Sequence, residues 1–143
     1  MKLPNLITAM TPFPYSIERT APIDQARALM DEHQVRHLPV TDEHDLVGII
    51  TDRDLRSALA VPEGKRVVSN LTVEDIFEDE VYCVDLETPI EEVLAAMAAR
   101  HIGSAIVTRK GRLAGVFTAT DACRVFAEFL AENFPRPDDG AAA

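Results

Sequence analysis

Two short stretches carry the residues best suited to chemistry, and one is a copy of the other. Gly48-Ile49-Ile50-Thr51-Asp52-Arg53-Asp54 returns 67 positions later as Gly115-Val116-Phe117-Thr118-Ala119-Thr120-Asp121. In each, an apolar run ends at a threonine and an aspartate follows three residues on. A hydroxyl, a turn and a carboxylate at a strand-to-helix junction can hold a nucleoside and its phosphate. The helix start presents free N–H groups and a partial positive charge to a phosphate, and a carboxylate can accept two ribose hydroxyls. The same Thr-x-x-Asp spacing also satisfies a capping box, which ties down orphan backbone donors without any ligand. The two roles are compatible.

Other chemistries lack their residues. There is no Ser-His-Asp or Cys-His pattern, no P-loop and no GxGxxG. The histidines at 33, 37, 44 and 101 have no zinc spacing; His33 and His37 stand four apart, but a helix end and Pro39 intervene. Cys83 and Cys123 form no CxxC pair, which points to reduced thiols in a cytoplasmic protein, each expected to be buried and inert. Arg53 and Arg56 read as solvated helix-face charges, and Arg100 and His101 as cations suited to a helix end.

A chain of 143 residues suits one unit or two small subdomains and leaves no room for a fused catalytic domain, so no enzyme is expected. A formal charge of −10 argues against nucleic acid and anionic membranes as partners. No apolar run reaches the ~18–20 residues of a membrane span, and Met1-Lys2-Leu3-Pro4-Asn5 has no signal-peptide character.

The elements that position the two motifs repeat with them. At the same shift Tyr15 aligns with Tyr82, Pro22 with Pro89, Ala28 with Ala95, Met30 with Met97, Val40 with Val107 and Leu46 with Leu113, with no gap between residues 13 and 56. Each copy opens with a helical turn, capped at Asn5 or by a Thr72-x-x-Asp75 box. A short strand follows, then a helix from Pro22 or Pro89, the second with a Thr88–Glu91 box. Ile23, Ala26, Met30 and His33, like Ile90, Val93, Leu94 and Met97, mark its buried face. A hairpin comes next, around Asp42–Asp45 or Arg109–Arg112, and a last helix starts at Thr51 or Thr118. The fold class is therefore α+β: two β-α-β-β-α units over 3–60 and 72–130, a linker at 61–71, and a flexible tail at 131–143. One copy is small for an independent core, so the two are expected to pack sheet against sheet about a pseudo-twofold axis, with the helices after Pro22 and Pro89 close together.

This order and the Gly-x-x-Thr-x-x-Asp pair resemble the tandem CBS domain, over residues 3 to about 130. The first copy, with Arg36-His37-Leu38-Pro39-Val40 before its motif, is the closer match; the second has Gly103-Ser104-Ala105-Ile106-Val107 and lacks the proline. The resemblance implies a regulatory module rather than a catalyst, binding AMP, ADP, ATP or S-adenosylmethionine in two clefts and modulating a client protein. Carried over, one cleft would use Thr51 and Asp54 with Arg36, His37, Leu38 and Pro39. The other would use Thr118 and Asp121 with Ile102, Gly103, Ser104 and Ala105, and Ile17 and Val84 would flank the base. No cofactor beyond that ligand and no metal is implied. The alternative is a ligand-free dimerisation or interaction module. A homodimer is expected in either case, because Val125, Phe126, Phe129 and Leu130 exceed what one small core needs.

Overall fold

In a computed structural model, which describes residues 1–12, 14–60 and 70–137, the repeat is carried out element by element. The first half contributes α1 (Leu6–Ala9), β1 (Thr11–Pro12), β2 (Ile17–Glu18), α2 (Ile23–His33), β3 (His37–Asp42), β4 (Asp45–Thr51) and α3 (Asp52–Leu59). The second contributes a 3₁₀ turn (Val73–Asp75), β5 (Cys83–Asp85), α4 (Ile90–Arg100), β6 (Ser104–Arg109), β7 (Arg112–Thr118) and α5 (Ala119–Asn133). The two β-α-β-β-α units expected from the repeat are present. Most of the 61–71 linker and the end of the tail lie outside the described residues, while α5 runs three residues past the boundary expected at 130.

Local chemistry accounts for the boundaries. Asn5 caps α1 by accepting from the Thr8 N–H at 3.0 Å. Pro22 stands at the cap of α2 in extended backbone, and Pro89 at the cap of α4 at φ −56° and ψ 133°. The expected Thr88–Glu91 box does not form, because Pro89 itself occupies the cap and leaves Thr88 one residue too early. Both helices close on a left-handed residue, Gln34 or His101, at φ 53°. The hairpin turns at Glu43-His44 and Lys110-Gly111 hold both central residues at positive φ, as a two-residue type I′ turn requires.

Each half builds a parallel pair (β2 with β3, β5 with β6) and an antiparallel hairpin (β3 with β4, β6 with β7). The sheets run β2-β3-β4 and β1-β7-β6-β5, so the second contains a strand from the first half. That strand marks an exchange. Leu6 and Ala9 of α1 pack in the core of the second half with Val93, Val107 and Phe117. Reciprocally, Val73 packs in the core of the first half with Ala26, Leu38 and Ile50, and Leu71, Ile76 and Phe77 lie against it. Val73 N–H donates to the Ala21 carbonyl at 2.8 Å and Glu74 N–H to that of Arg19 at 2.8 Å. Each opening segment completes the other half's core.

The helices after Pro22 and Pro89, expected close together, bury their apolar stripes in separate cores. Ile23, Ala26 and Met30 of α2 belong to one core, and Ile90, Val93 and Met97 of α4 to the other. His33 and Leu94, expected on the same stripes, lie outside both cores: His33 lines a cleft and Leu94 is 38% exposed. The halves join instead through β4 and β7 and through the exchanged segments. The physical reason is burial: the apolar stripe of each helix is used up on its own sheet.

Gly48 and Gly115 sit where the exchanged backbones cross. Thr11–Pro12 pairs with Val116 and Gly115, and Ile49 exchanges N–H···O bonds of 2.9 and 2.8 Å with Glu78. A Cβ at Gly48 would run into the Glu78 carbonyl and the Phe77 ring; one at Gly115 would stand 2.5 Å from Met10 Sδ and 2.8 Å from the Thr11 carbonyl. At Gly103 a Cβ would meet nothing closer than His37 Nε2 at 3.7 Å, an ordinary contact. Overpacking of this kind typically costs about 1–3 kcal/mol. Gly48→Ala and Gly115→Ala are therefore each expected to lower unfolding free energy by about that amount, measured by denaturant titration. Gly103→Ala should stay within about 0.5 kcal/mol of the parent; equal losses at all three positions would refute the crossing constraint.

Candidate functional site

Both Thr-x-x-Asp motifs form complete capping boxes. Thr51 N–H donates to Asp54 Oδ2 at 2.9 Å and Asp54 N–H to Thr51 Oγ1 at 3.1 Å. In the second copy Thr118 N–H donates to Asp121 Oδ2 at 3.0 Å and Asp121 N–H to Thr118 Oγ1 at 3.2 Å. These bonds use Oδ2 alone, so the second carboxylate oxygen remains for another donor; at Asp121 the Arg124 guanidinium lies 3.6 Å from it. The boxes pin each aspartate at the mouth of a helix N-terminus, on the rim of a cleft.

Two clefts open between the halves. The larger encloses about 760 Å³ and the smaller about 310 Å³; ligand sites usually fall between roughly 300 and 1,000 Å³. The larger is lined by Thr11, Pro12, Pro14 and Tyr15, by the run His33 to Leu38, and by Val116, Thr118, Thr120 and Asp121. The smaller is lined by Thr51, Arg53 and Asp54, by Glu78, Glu80, Val81 and Tyr82, and by Arg100, Ile102, Gly103 and Ser104, with Ile49, Ile106 and His37.

The composition of each cleft crosses over the expected one. Thr51 and Asp54 face Ile102, Gly103 and Ser104, whereas Thr118 and Asp121 face Arg36 and Leu38; His37 alone lines both clefts, so its expected place beside Thr51 and Asp54 is kept. The exchange of opening segments and the β4–β7 contact turn each helix N-terminus toward the start of the other half's hairpin. Four expected residues line neither cleft. Pro39 and Ala105 lie inside the sheets, paired with Ile49 and Phe117, and have fully buried side chains. Ile17 and Val84 point from β2 and β5 into the two cores.

Other side chains join the clefts without having been expected there. Tyr15 and His33 stack at 3.5 Å between ring centroids and 11° between planes. Their repeat partners Tyr82 and Arg100 meet as a cation–π pair, the guanidinium 5.0 Å from the ring centre. The signal available was the repeat itself, since His33 and Arg100 occupy the same place in it. Arg53 lines the smaller cleft, while Arg56 pairs with Asp52 at 2.9 Å and Arg27 with the same carboxylate at 3.0 Å. Both cysteines are exposed rather than buried: Cys83 points outward from β5, and Cys123 lies on the outer surface of α5. Among the described residues no three potential metal ligands gather, and no helix is long and apolar enough to cross a membrane.

His37 breaks the symmetry. It lines both clefts, and its repeat partner is Ser104. Burial holds its pKa below the usual 6.5; Asp54 opposes the shift, Arg36 adds to it and Asp121 opposes it.

A family model described as CBS domain matches the chain twice, at residues 6–61 and 73–128. L-aspartate semialdehyde sulfurtransferase of Methanocaldococcus jannaschii is 32% identical over 115 residues, 79% of this chain and 21% of that protein. An uncharacterized protein of Bacillus subtilis, YlbB, is 30% identical over 102 residues, 68% of this chain and 65% of its own. The chain spans about a fifth of the length of several curated relatives. Among solved structures, the CBS domain pair of protein MJ0100, in complex with 5′-methylthioadenosine and S-adenosyl-L-methionine, superposes with a TM-score of 0.78 at 26% identity, covering 90% of this chain and 99% of that one.

The shift at His37 has a measurable consequence. Because the native imidazole binds its proton less readily than the unfolded one, the unfolded chain gains from acidification first. Stability from this residue is complete above about pH 6.5 and is lost as pH falls through the lower native pKa. His37→Ser, which copies Ser104, should lose less stability between pH 7.5 and 5.5 than the parent does in parallel denaturant titrations. An identical loss would place the effect elsewhere.

Proposed function

Because the chain belongs to the CBS domain family, as one tandem pair, we propose that it is a regulatory module that binds an adenosine-containing ligand between its halves and so modulates a partner protein. The observation that carries this reading is the pairing in each cleft of a helix N-terminus and its aspartate with the hairpin start of the opposite half. A ligand seated there touches both halves at once, so its binding energy acts on their relative position. The MJ0100 pair, solved with two adenosine derivatives, supports the ligand class. AMP, ADP, ATP and S-adenosylmethionine all belong to that class.

We place the primary site in the larger cleft. Motif match alone favours Thr51 and Asp54, but volume favours the cleft at Thr118 and Asp121. There the ribose hydroxyls meet the carboxylate oxygen of Asp121 not used in the cap. The 5′ phosphate meets Thr118, Thr120 and the N-terminus of α5, with Arg36 on the facing wall. The smaller cleft offers the same sugar chemistry at Asp54, with Arg53 where the other has Thr120. The module works without catalysis, in the cytoplasm, on a client outside this chain.

Assembly rests on a different surface. No residue of α5 is fully buried, and Phe126, Leu130 and Phe134 are 62%, 40% and 61% exposed. Ile7 of the neighbouring α1 adds a further 58% exposed apolar side chain. Such a patch is what a helical homodimer face provides, and it also supports the second reading, a ligand-free dimerisation module.

Three measurements test these assignments. Calorimetric titration of purified protein with AMP should give saturable binding. Asp121→Ala should weaken it at least about tenfold, since a hydrogen bond to a charged group is worth roughly 1.5–3 kcal/mol. The same variant loses a cap and about 1 kcal/mol of stability; lowered stability with unchanged affinity would leave capping as its whole role and favour the ligand-free module. Sedimentation should report a dimer at micromolar concentration and a monomer for Phe126→Glu/Leu130→Glu. A monomeric parent would refute the interface.

A further inference from the structure

The repeat puts a tyrosine at the same place in both clefts, but its backing differs. Tyr15 lies flat on His33, with centroids 3.5 Å apart and planes 11° from parallel, at the end of α2. One face of the phenol ring is thus covered by a second ring. Even so, Tyr15 remains 50% exposed, and both residues line the larger cleft, whose other wall carries Thr118 and Asp121. A half-exposed tyrosine outside both hydrophobic cores contributes little to folding by burial. A ring backed by a second ring, half exposed and set in a cleft wall suits the stacking of a planar base.

We propose that the Tyr15–His33 stack is the shelf for the purine base in the larger cleft, with the base lying on the free face of Tyr15 while Asp121 holds the ribose. This deepens the nucleoside reading of that cleft and rests on it. Stacking reads a flat π surface rather than a hydrogen-bonding edge. The shelf therefore selects purine nucleosides and nucleotides over sugar phosphates without itself separating adenine from guanine. In the smaller cleft the corresponding ring, Tyr82, is backed by the guanidinium of Arg100 instead.

The chain has two tyrosines and no tryptophan, so tyrosine emission can be assigned. In Tyr82→Phe the remaining tyrosine signal belongs to Tyr15. Titration with AMP should change that emission along the calorimetric binding curve. Tyr15→Phe, which keeps the ring, should hold AMP affinity within about twofold, whereas Tyr15→Ser should lose about tenfold or more. Ribose 5-phosphate, which has the sugar and phosphate but no base, is the control. Its weaker binding should be the same in the parent and in Tyr15→Ser. Undiminished AMP affinity in Tyr15→Ser, or emission that stays flat while calorimetry records binding, overturns the shelf and leaves the cleft assignment standing. Equal losses for AMP and ribose 5-phosphate also overturn it, because they reduce Tyr15 to a support of the cleft wall. Absence of AMP binding to the parent overturns the nucleoside reading and the shelf together.

Discussion

The structure depends on two places where backbones cross without room for a side chain. At Gly48 the strand runs against Phe77 and the Glu78 carbonyl, and at Gly115 against Met10 and the Thr11 carbonyl. These crossings let the opening segment of each half leave its own unit and complete the other's core. Neither core is closed without its partner: Leu6 and Val73, among the most deeply buried residues, are both supplied from across the molecule. Two units each near the lower limit for independent stability thereby become one cooperative body.

The clefts follow from the same exchange. Once each opening segment crosses, Thr11, Pro12, Pro14 and Tyr15, and Glu78, Glu80, Val81 and Tyr82, become walls of clefts whose other sides come from both halves. Every cleft is then an interface between units, and an occupant reports on both. The capping boxes serve this arrangement. A carboxylate that binds its own helix through one oxygen is held in place, which lowers the ordering cost of using the other oxygen for a ligand.

Pseudo-symmetry in the backbone is paired with asymmetry in the side chains. Thr120 corresponds to Arg53, Thr11 to Glu78, His33 to Arg100, Arg36 to Gly103 and His37 to Ser104. At the first three pairs the larger cleft has two hydroxyls and an imidazole where the smaller has fixed charges of both signs, whereas Arg36 puts a fixed charge in the larger where the smaller has a glycine. His37 lies between them, its charge opposed by burial and favoured by Asp54 and Asp121 together. The two clefts therefore differ in chemistry while sharing one titratable group.

The sequence by itself determined the unit and its number, because helix periodicity, hairpin turns and capping boxes are local and the unchanging 67-residue shift copies them. The boxes at Thr51 and Thr118 formed as their spacing required, since three residues bring a side chain back to its own helix start. The resemblance to the CBS pair, rather than any local pattern, put Arg36, Leu38, Gly103 and Ser104 at clefts, each grouped with the helix N-terminus that the fold turns to the other cleft, while His37 lines both. Which helix N-terminus faces which hairpin depends on the exchange, and an exchanged segment has the same local pattern as one packed on its own unit. The same limit hid the stacking of Tyr15 on His33, eighteen residues away. Pro39 and Ala105 look like cleft residues in a motif, yet their positions in the sheets bury them. Local bonding is encoded within a few residues; the meeting of two halves is decided only when burial of apolar surface chooses between packings that the local pattern leaves equivalent.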